Sequence, residues 1–145
     1  MPDTVPNTAD AILAGLGAGL PLLIVQFVAT LLLLGIGVAV YMAITPLHER
    51  RLVAEGNVAA GLSLGGAVLA IAIPLAATLG STTVLLDIVV WGVVALLLQL
   101  VTFFLVAALM PGLRGRIEAG NVAAACPLVA AQLAVALLNA AAIAG

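Results

Sequence analysis

Long apolar runs separated by short polar stretches dominate the chain. Four runs contain the roughly 20 residues that a helix rising about 1.5 Å per residue needs to cross a hydrocarbon layer about 30 Å thick. None of them alternates apolar and polar residues as the strands of a membrane barrel do. The pattern therefore predicts an all-α membrane protein whose transmembrane helices run approximately over Leu22–Ile44, Asn57–Leu79, Ile88–Met110 and Val122–Ala144.

The Ala-, Leu- and Gly-rich segment Thr8–Leu20 precedes the first predicted helix and leaves two alternatives open. It is either a short segment at the membrane interface or an extension of the first helix with a kink at Pro21. The first twenty residues contain no Lys or Arg, so the positively charged start of a secretory signal peptide is missing. We therefore expect the first apolar run to remain in the mature protein.

A short motif occurs twice, with an offset of 64 residues from Asn57 to Asn121. Each copy joins a polar loop to a long apolar run through a Gly-Asn pair, Gly56-Asn57 and Gly120-Asn121. Glycine permits a sharp turn there, and asparagine caps the free N–H groups of the helix that follows. The motif predicts a single membrane domain, residues 1–145, built from two tandem parallel two-helix repeats, about 1–80 and about 81–145.

All four cationic residues lie in the two loops that precede these motifs, which places Arg50 and Arg51 in one loop and Arg114 and Arg116 in the other. Positively charged loops remain in the cytoplasm. We therefore predict a multi-pass protein of the bacterial inner membrane, with cytoplasmic arginine-bearing loops and both termini on the outer side. Because each repeat has an even number of spans, both copies insert the same way up.

The composition agrees with lipid as the solvent, because 66% of the 145 residues are hydrophobic and 7% are charged, against about 25% charged in soluble domains. A formal charge of −2 with no basic cluster argues against nucleic-acid binding. One histidine and one cysteine are too few for a zinc site, and no nucleotide motif is present. We therefore expect no enzymatic activity, no metal and no cofactor.

Small residues four positions apart let helices approach closely in lipid. Gly61 and Gly65 have this spacing in the second span, and Ala130 and Ala134 have it in the fourth. The first and third spans contain bulkier side chains. The pattern predicts that the second and fourth helices form the packing seam of the bundle, with the first and third facing lipid.

Four amide side chains are predicted to lie within the bilayer. Gln99 and Gln132 fall near the midplane, and Gln26 and Asn139 fall in the outer third. They either bond helices together, within the bundle or across an oligomer interface, or line a path for a solute or ion. No charged side chain lies deep in any span, which argues against ion-coupled transport.

The first arginine-bearing loop is the most polar part of the chain. It is a candidate docking surface for a soluble cytoplasmic partner, a pH-sensitive element acting through the histidine, a gate, or only a solvated turn that sets topology. The candidate docking residues are His48, Glu49, Arg50, Arg51 and Glu55.

Several short motifs, in order along the chain, carry a family resemblance. They include Thr45-Pro46 followed by Glu49, Glu55-Gly56-Asn57, Gly65-Gly66, Pro74-Leu75, Trp91-Gly92, Gln99-Leu100, Gly120-Asn121-Val122-Ala123 and Leu138-Asn139. Together they resemble the YjfL-like bacterial inner-membrane proteins, a family defined by domain of unknown function 350.

The resemblance implies a four-span inner-membrane protein made of two paired repeats, without a settled activity. It also implies association with envelope-stress proteins and with amide ligases of the ATP-grasp kind, and hence a membrane anchor for a cytoplasmic partner. His48 occupies a position that varies in the family, so the resemblance gives it no special role.

Two functions are therefore carried forward. The first is a non-enzymatic membrane component or anchor of a larger assembly, working as a homo-oligomer. The alternative is a small channel or transporter for an ion or an amphiphilic amine. A bundle closed by buried amide bonds would favour the first, and a continuous polar cavity would favour the second.

Overall fold

The computed structural model describes residues 7–145, and this part of the chain forms six helices and no strand. Four helices are long and apolar enough to cross a membrane, which confirms the predicted all-α fold with four transmembrane helices. They are α1 (Thr8–Ile44), α3 (Val58–Ser81), α4 (Leu85–Leu109) and α6 (Val122–Ala144). Two short helices lie in the arginine-bearing loops, α2 (Glu49–Ala54) and α5 (Leu113–Glu118).

Helix α1 is longer than the other three because it includes the segment before Pro21. The chain is helical without interruption from Thr8 to Ile44, so the segment extends the first helix and is not a separate interfacial element. No side chain from residue 8 to residue 25 is buried. The first half of α1 therefore stands outside the packed part of the bundle.

The prolines that follow α1 and α4 end these helices. Thr45 and Met110 are the C-terminal caps, directly before Pro46 and Pro111. Proline cannot donate a backbone hydrogen bond, and it disfavours a helical conformation in the residue before it. Both chain reversals consequently occur at the same end of the bundle, which we call the arginine-bearing end.

The Gly-Asn pairs also behave as predicted. Asn57 accepts a hydrogen bond from the backbone N–H of Ala60 at 2.9 Å, and Asn121 accepts one from Ala124 at 3.1 Å. Gly56 and Gly120 have φ angles of 82° and 81°, in the left-handed region that favours glycine. Each pair therefore turns the chain from a short helix into the next spanning helix.

The two arginine-bearing loops have the same local geometry at the same offset. The starts of α2 and α5, Glu49 and Leu113, are separated by the 64 residues that separate Asn57 from Asn121. The backbone N–H of Asn57 donates to the Leu52 carbonyl, and that of Asn121 donates to the Arg116 carbonyl, both at 2.9 Å. Equivalent residues thus occupy equivalent positions in both loops.

Helices α3 and α6 make the most extensive contact in the bundle, which confirms the predicted pairing of the second and fourth spans. The small-residue pairs that predicted it do not lie in the contact, since Gly65, Ala130 and Ala134 are exposed. Alanines are fully buried on both sides of it, among them Ala67 on α3 and Ala125 on α6. A Cβ atom placed on Gly66 would lie 2.7 Å from the nearest side-chain atom of Val129. The two backbones can approach this closely because small residues face each other across the seam.

Candidate functional site

The midplane glutamines lie together inside the bundle. The side-chain nitrogen of Gln99 on α4 donates to the backbone carbonyl of Ala70 on α3 at 3.4 Å and to that of Gln132 on α6 at 3.3 Å. Both glutamine side chains are at most 1% exposed. Both bonds are long, and the side-chain oxygens of Gln99 and Gln132 have no partner among the described residues. One amide thus joins three helices.

Tyr41 brings the fourth long helix into this cluster. Its hydroxyl accepts a hydrogen bond of 2.8 Å from the side-chain nitrogen of Gln132. The Tyr41 ring is fully buried and packs edge-on against Phe103 of α4, with ring centroids 6.0 Å apart. Sequence reasoning missed Tyr41, although a lone tyrosine in a chain this apolar needs a partner for its hydroxyl once it is buried. We call Tyr41, Gln99 and Gln132 the buried polar chain.

The other two predicted amides, Gln26 and Asn139, make no hydrogen bond to each other. Gln26 and Asn139 are both buried, towards the opposite end of the bundle. Their side-chain nitrogens have no hydrogen-bond partner in the part of the chain that the structure describes. The two residues therefore form no amide pair of the kind that the midplane glutamines make.

Glu49 has a different environment from the one predicted for a docking residue. It is 1% exposed, because α2 directs Glu49 and Leu52, three residues apart on one helix face, towards the bundle. Within residues 7–145, neither carboxylate oxygen has a hydrogen-bond partner. Burial raises the pKa of the Glu49 carboxyl from 4.5 to about 7. The side chain of Glu49 is therefore not part of the exposed surface, unlike those of the other docking candidates.

The remaining docking candidates, His48, Arg50, Arg51 and Glu55, are exposed at the arginine-bearing end. An ion pair joins Arg51 to Glu55 at 3.3 Å, and a second one, on α5, joins Arg114 to Glu118 at 2.8 Å. Exposed pairs of this kind contribute about 0–1 kcal/mol to stability. The charged side chains therefore contribute little to the stability of the fold, and their main effect is on the charge of the exposed surface.

Asn57 has a second role that its counterpart lacks. Its side-chain nitrogen donates to the backbone carbonyls of Ile117 at 3.1 Å and Glu118 at 2.9 Å. These carbonyls lie at the end of α5, where a helix leaves its last acceptors free. Asn121 caps α6 but makes no such contact among the described residues. Asn57 therefore joins the two loops into one surface.

Comparisons with known proteins place these features in a family. A family model described as Domain of Unknown Function (DUF350) matches residues 15–143. The UPF0719 inner membrane protein YjfL of Escherichia coli strain K12 is 36% identical over 102 residues, which are 70% of this chain and 77% of that protein. Its counterpart in Escherichia coli O157:H7 gives the same values.

No solved structure matches the chain. The family match covers all four spanning helices, both arginine-bearing loops and the buried polar chain. The chain therefore belongs to the DUF350 family.

Proposed function

We propose that the protein is a non-enzymatic component of the bacterial inner membrane that anchors a soluble cytoplasmic partner at its arginine-bearing end. The observation that supports this is the joining of the two polar loops into one exposed surface by the bonds from Asn57 to α5. Below that surface, the amide of Gln99 bonds to α3 and α6. These bonds favour a closed bundle over a polar passage.

The orientation follows from the charges. Both arginine-bearing loops lie at one end of the bundle, and the positive-inside rule assigns such an end to the cytoplasm. The curated relative is described as an inner membrane protein, which supports the same membrane. Topology reporters fused after residue 55 and after residue 145 test this assignment, since we expect cytoplasmic signal from the first and external signal from the second.

A tandem duplication accounts for the shared geometry of the loops. The matching short helices, left-handed glycines and asparagine caps at one offset support two parallel repeats, about 1–80 and about 81–145. The two repeats differ in their side chains: the first residue of α2 is Glu49, whereas the first residue of α5 is Leu113.

Site-specific cross-linking in living cells tests the anchoring role. A photoreactive residue placed at His48, Arg50 or Glu55 is expected to trap one discrete soluble protein. The same residue at Asp87, in the first turn of α4 at the opposite end, serves as the matched control and should trap none. The same products from both ends, or none from the arginine-bearing end, would refute the proposal. Replacing arginine by lysine at position 50 keeps the charge that sets topology, so it tests recognition alone.

A homo-oligomer fits the lipid-facing side of α3. Gly61 and Gly65 lie beside an open apolar groove, and no heavy atom lies within 4 Å of a Cβ placed on Gly65. Another helix can approach closely at such a surface. Mass measurement of the protein in native membrane fragments tests this. A single monomeric mass across a range of concentrations would count against it.

The alternative function is a small channel or transporter for an ion or an amphiphilic amine. The observation that favours it is the presence of buried side-chain oxygens on Gln99 and Gln132 without a partner among the described residues. Liposomes containing the protein should then show solute flux that falls when both glutamines are replaced by leucine. Absence of flux over a broad panel of solutes would leave the anchoring role as the better account.

A further inference from the structure

The carboxyl group of Glu49 is an isolated acid inside the arginine-bearing end of the bundle. Neither ion pair of the described chain includes it, and no described residue donates a hydrogen bond to either oxygen. An unpaired charge removed from water is costly, and a buried carboxyl avoids that cost by binding a proton. Ionisable groups inside a membrane protein are functional candidates for this reason.

Packing alone does not require an acid at this position. Leu113 is the equivalent first residue of α5, and it is 2% exposed against 1% for Glu49. An apolar side chain therefore fills the same position in the second loop. The fold therefore tolerates a carboxyl at this position but does not need one, and no ion pair holds it there.

No described cation forms an ion pair with Glu49, although His48, Arg50 and Arg51 line the same cavity. The charge of Glu49 also acts on the buried Tyr41 of α1. On α2 and just before it, His48, Arg50 and Arg51 are exposed, and Arg51 is paired with Glu55. Helix α3 contains no ionisable side chain. The ionisable residues of α5 and α6 are Arg114, Arg116 and Glu118, which lie on the outer face of α5, and Cys126, which is exposed.

The tyrosine links the acid to the middle of the bundle. The Tyr41 hydroxyl is bonded to the side chain of Gln132, and the backbone carbonyl of Gln132 accepts from Gln99. Gain or loss of a charge on Glu49 changes the field at the hydroxyl. A change in the field at the Tyr41 hydroxyl also alters its hydrogen bond with the Gln132 amide, since hydrogen bonds in a low-dielectric interior polarise one another.

We propose that Glu49 is a proton-binding site filled from the arginine-bearing end, and that the buried polar chain of Tyr41, Gln132 and Gln99 responds to its occupancy. The carboxylate takes up one proton to become a neutral acid and releases it to the same side. This proposal depends on the bundle and not on the anchoring role, so the two fail independently.

The sequence supplies the probe for a test, because it contains one tyrosine and one tryptophan. In a Trp91→Phe background, tyrosine emission from protein in lipid vesicles, which contain no other protein, reports on Tyr41 alone. We expect a single transition in emission between about pH 6 and pH 8, since burial brings the pKa of Glu49 to about 7. Absence of any transition in this range would overturn the proposal.

Matched variants assign the transition. Glu49→Gln should abolish it, and Glu49→Leu, which copies the residue at position 113, serves as a second variant if the glutamine form does not fold. Glu55→Gln removes an exposed acid from the same loop, and His48→Gln removes the nearby imidazole, so both should leave the transition in place. Its survival in both Glu49 variants, or its loss in His48→Gln, would refute the assignment.

A comparison of buffers containing sodium, potassium or only an organic cation completes the test. The midpoint should be the same in all three buffers if the occupant is a proton. A midpoint that moves to lower pH with rising sodium or potassium would show competition by a metal ion and would contradict the proposal.

Discussion

The contact between Gly66 of α3 and Val129 of α6 offers a sharp test of the packing seam. In Gly66→Ala, the added Cβ would lie 2.7 and 2.8 Å from the two methyl carbons of Val129 and 3.1 Å from its Cβ. Carbon atoms in contact are normally about 3.5–4.0 Å apart. Rotation of the valine cannot relieve the overlap, because its Cβ, which does not move on rotation, is itself too close.

The helices must therefore separate, or the surrounding side chains must shift, to accept one methyl group. Overpacking of this kind costs about 1–3 kcal/mol, and here it acts on the most extensive helix contact in the bundle. We expect Gly66→Ala to lower the free energy of unfolding by about 2 kcal/mol. The measurement is reversible denaturant unfolding in mixed micelles, followed by the fluorescence of Trp91.

The neighbouring glycine is a matched control. A Cβ on Gly65 meets no heavy atom within 4 Å, and alanine favours a helix over glycine by up to about 1 kcal/mol. Gly65→Ala should therefore be neutral or slightly stabilising. Adding Val129→Ala to Gly66→Ala should restore much of the lost stability, with a coupling energy of about 1 kcal/mol or more. Equal effects of the two glycine substitutions, or no rescue, would refute the reasoning.

Three further predictions concern the polar groups. Asn57→Ala should lower the free energy of unfolding, measured by thermal denaturation, by about 2–3 kcal/mol, because it removes a helix cap and two bonds to α5. Asn121→Ala removes only a cap and should lower it by about 1 kcal/mol. Equal losses would contradict the loop-joining role. Raising the pH from about 4.5 through about 7 should destabilise the protein by up to ~3 kcal/mol, because the unfolded chain releases the proton of Glu49 more readily than the native one. Unfolding at pH 5 and pH 8 checks this, and Glu49→Gln should remove that part of the slope. Gln132→Leu and Tyr41→Phe should each cost about 0.6–2 kcal/mol, and a double-mutant cycle that gives no coupling would argue against their bond.

The parts of the fold that depend on local sequence were predictable. Proline at the ends of α1 and α4 and the Gly-Asn pairs before α3 and α6 act through their own backbone geometry. Four apolar runs of spanning length leave little freedom in lipid, where every backbone polar group must be satisfied within the chain. The abundance of small residues in α3 and α6 indicated the correct pair of helices, but the four-residue spacing did not mark the contact, since Gly65, Ala130 and Ala134 are exposed.

The candidate site was only partly predictable, because it depends on how the helices rotate about their axes. Helix α1 is apolar over most of its surface, and its few polar residues Gln26, Thr30 and Tyr41, which share one buried face, do not specify Gln132 as the partner of Tyr41. The burial of Glu49 depends on α2 lying against the bundle, and a stretch of charged residues gives no sign of that. The bonds from Asn57 to α5 need two loops far apart in sequence to meet, which no local rule specifies.

The length of α1 has a consequence for how the protein meets its membrane. Its 37 residues span about 55 Å, whereas the hydrocarbon layer is about 30 Å thick. Even a tilt of about 40°, the upper end of the usual range, accommodates only about 26 residues in that layer. Several apolar helical turns before Pro21 must therefore lie among the lipid headgroups or beyond them. A thicker bilayer would bury more of these turns in its hydrocarbon layer. Lipid composition thus sets how far this helix protrudes, which makes bilayer thickness a physical variable that the chain can register.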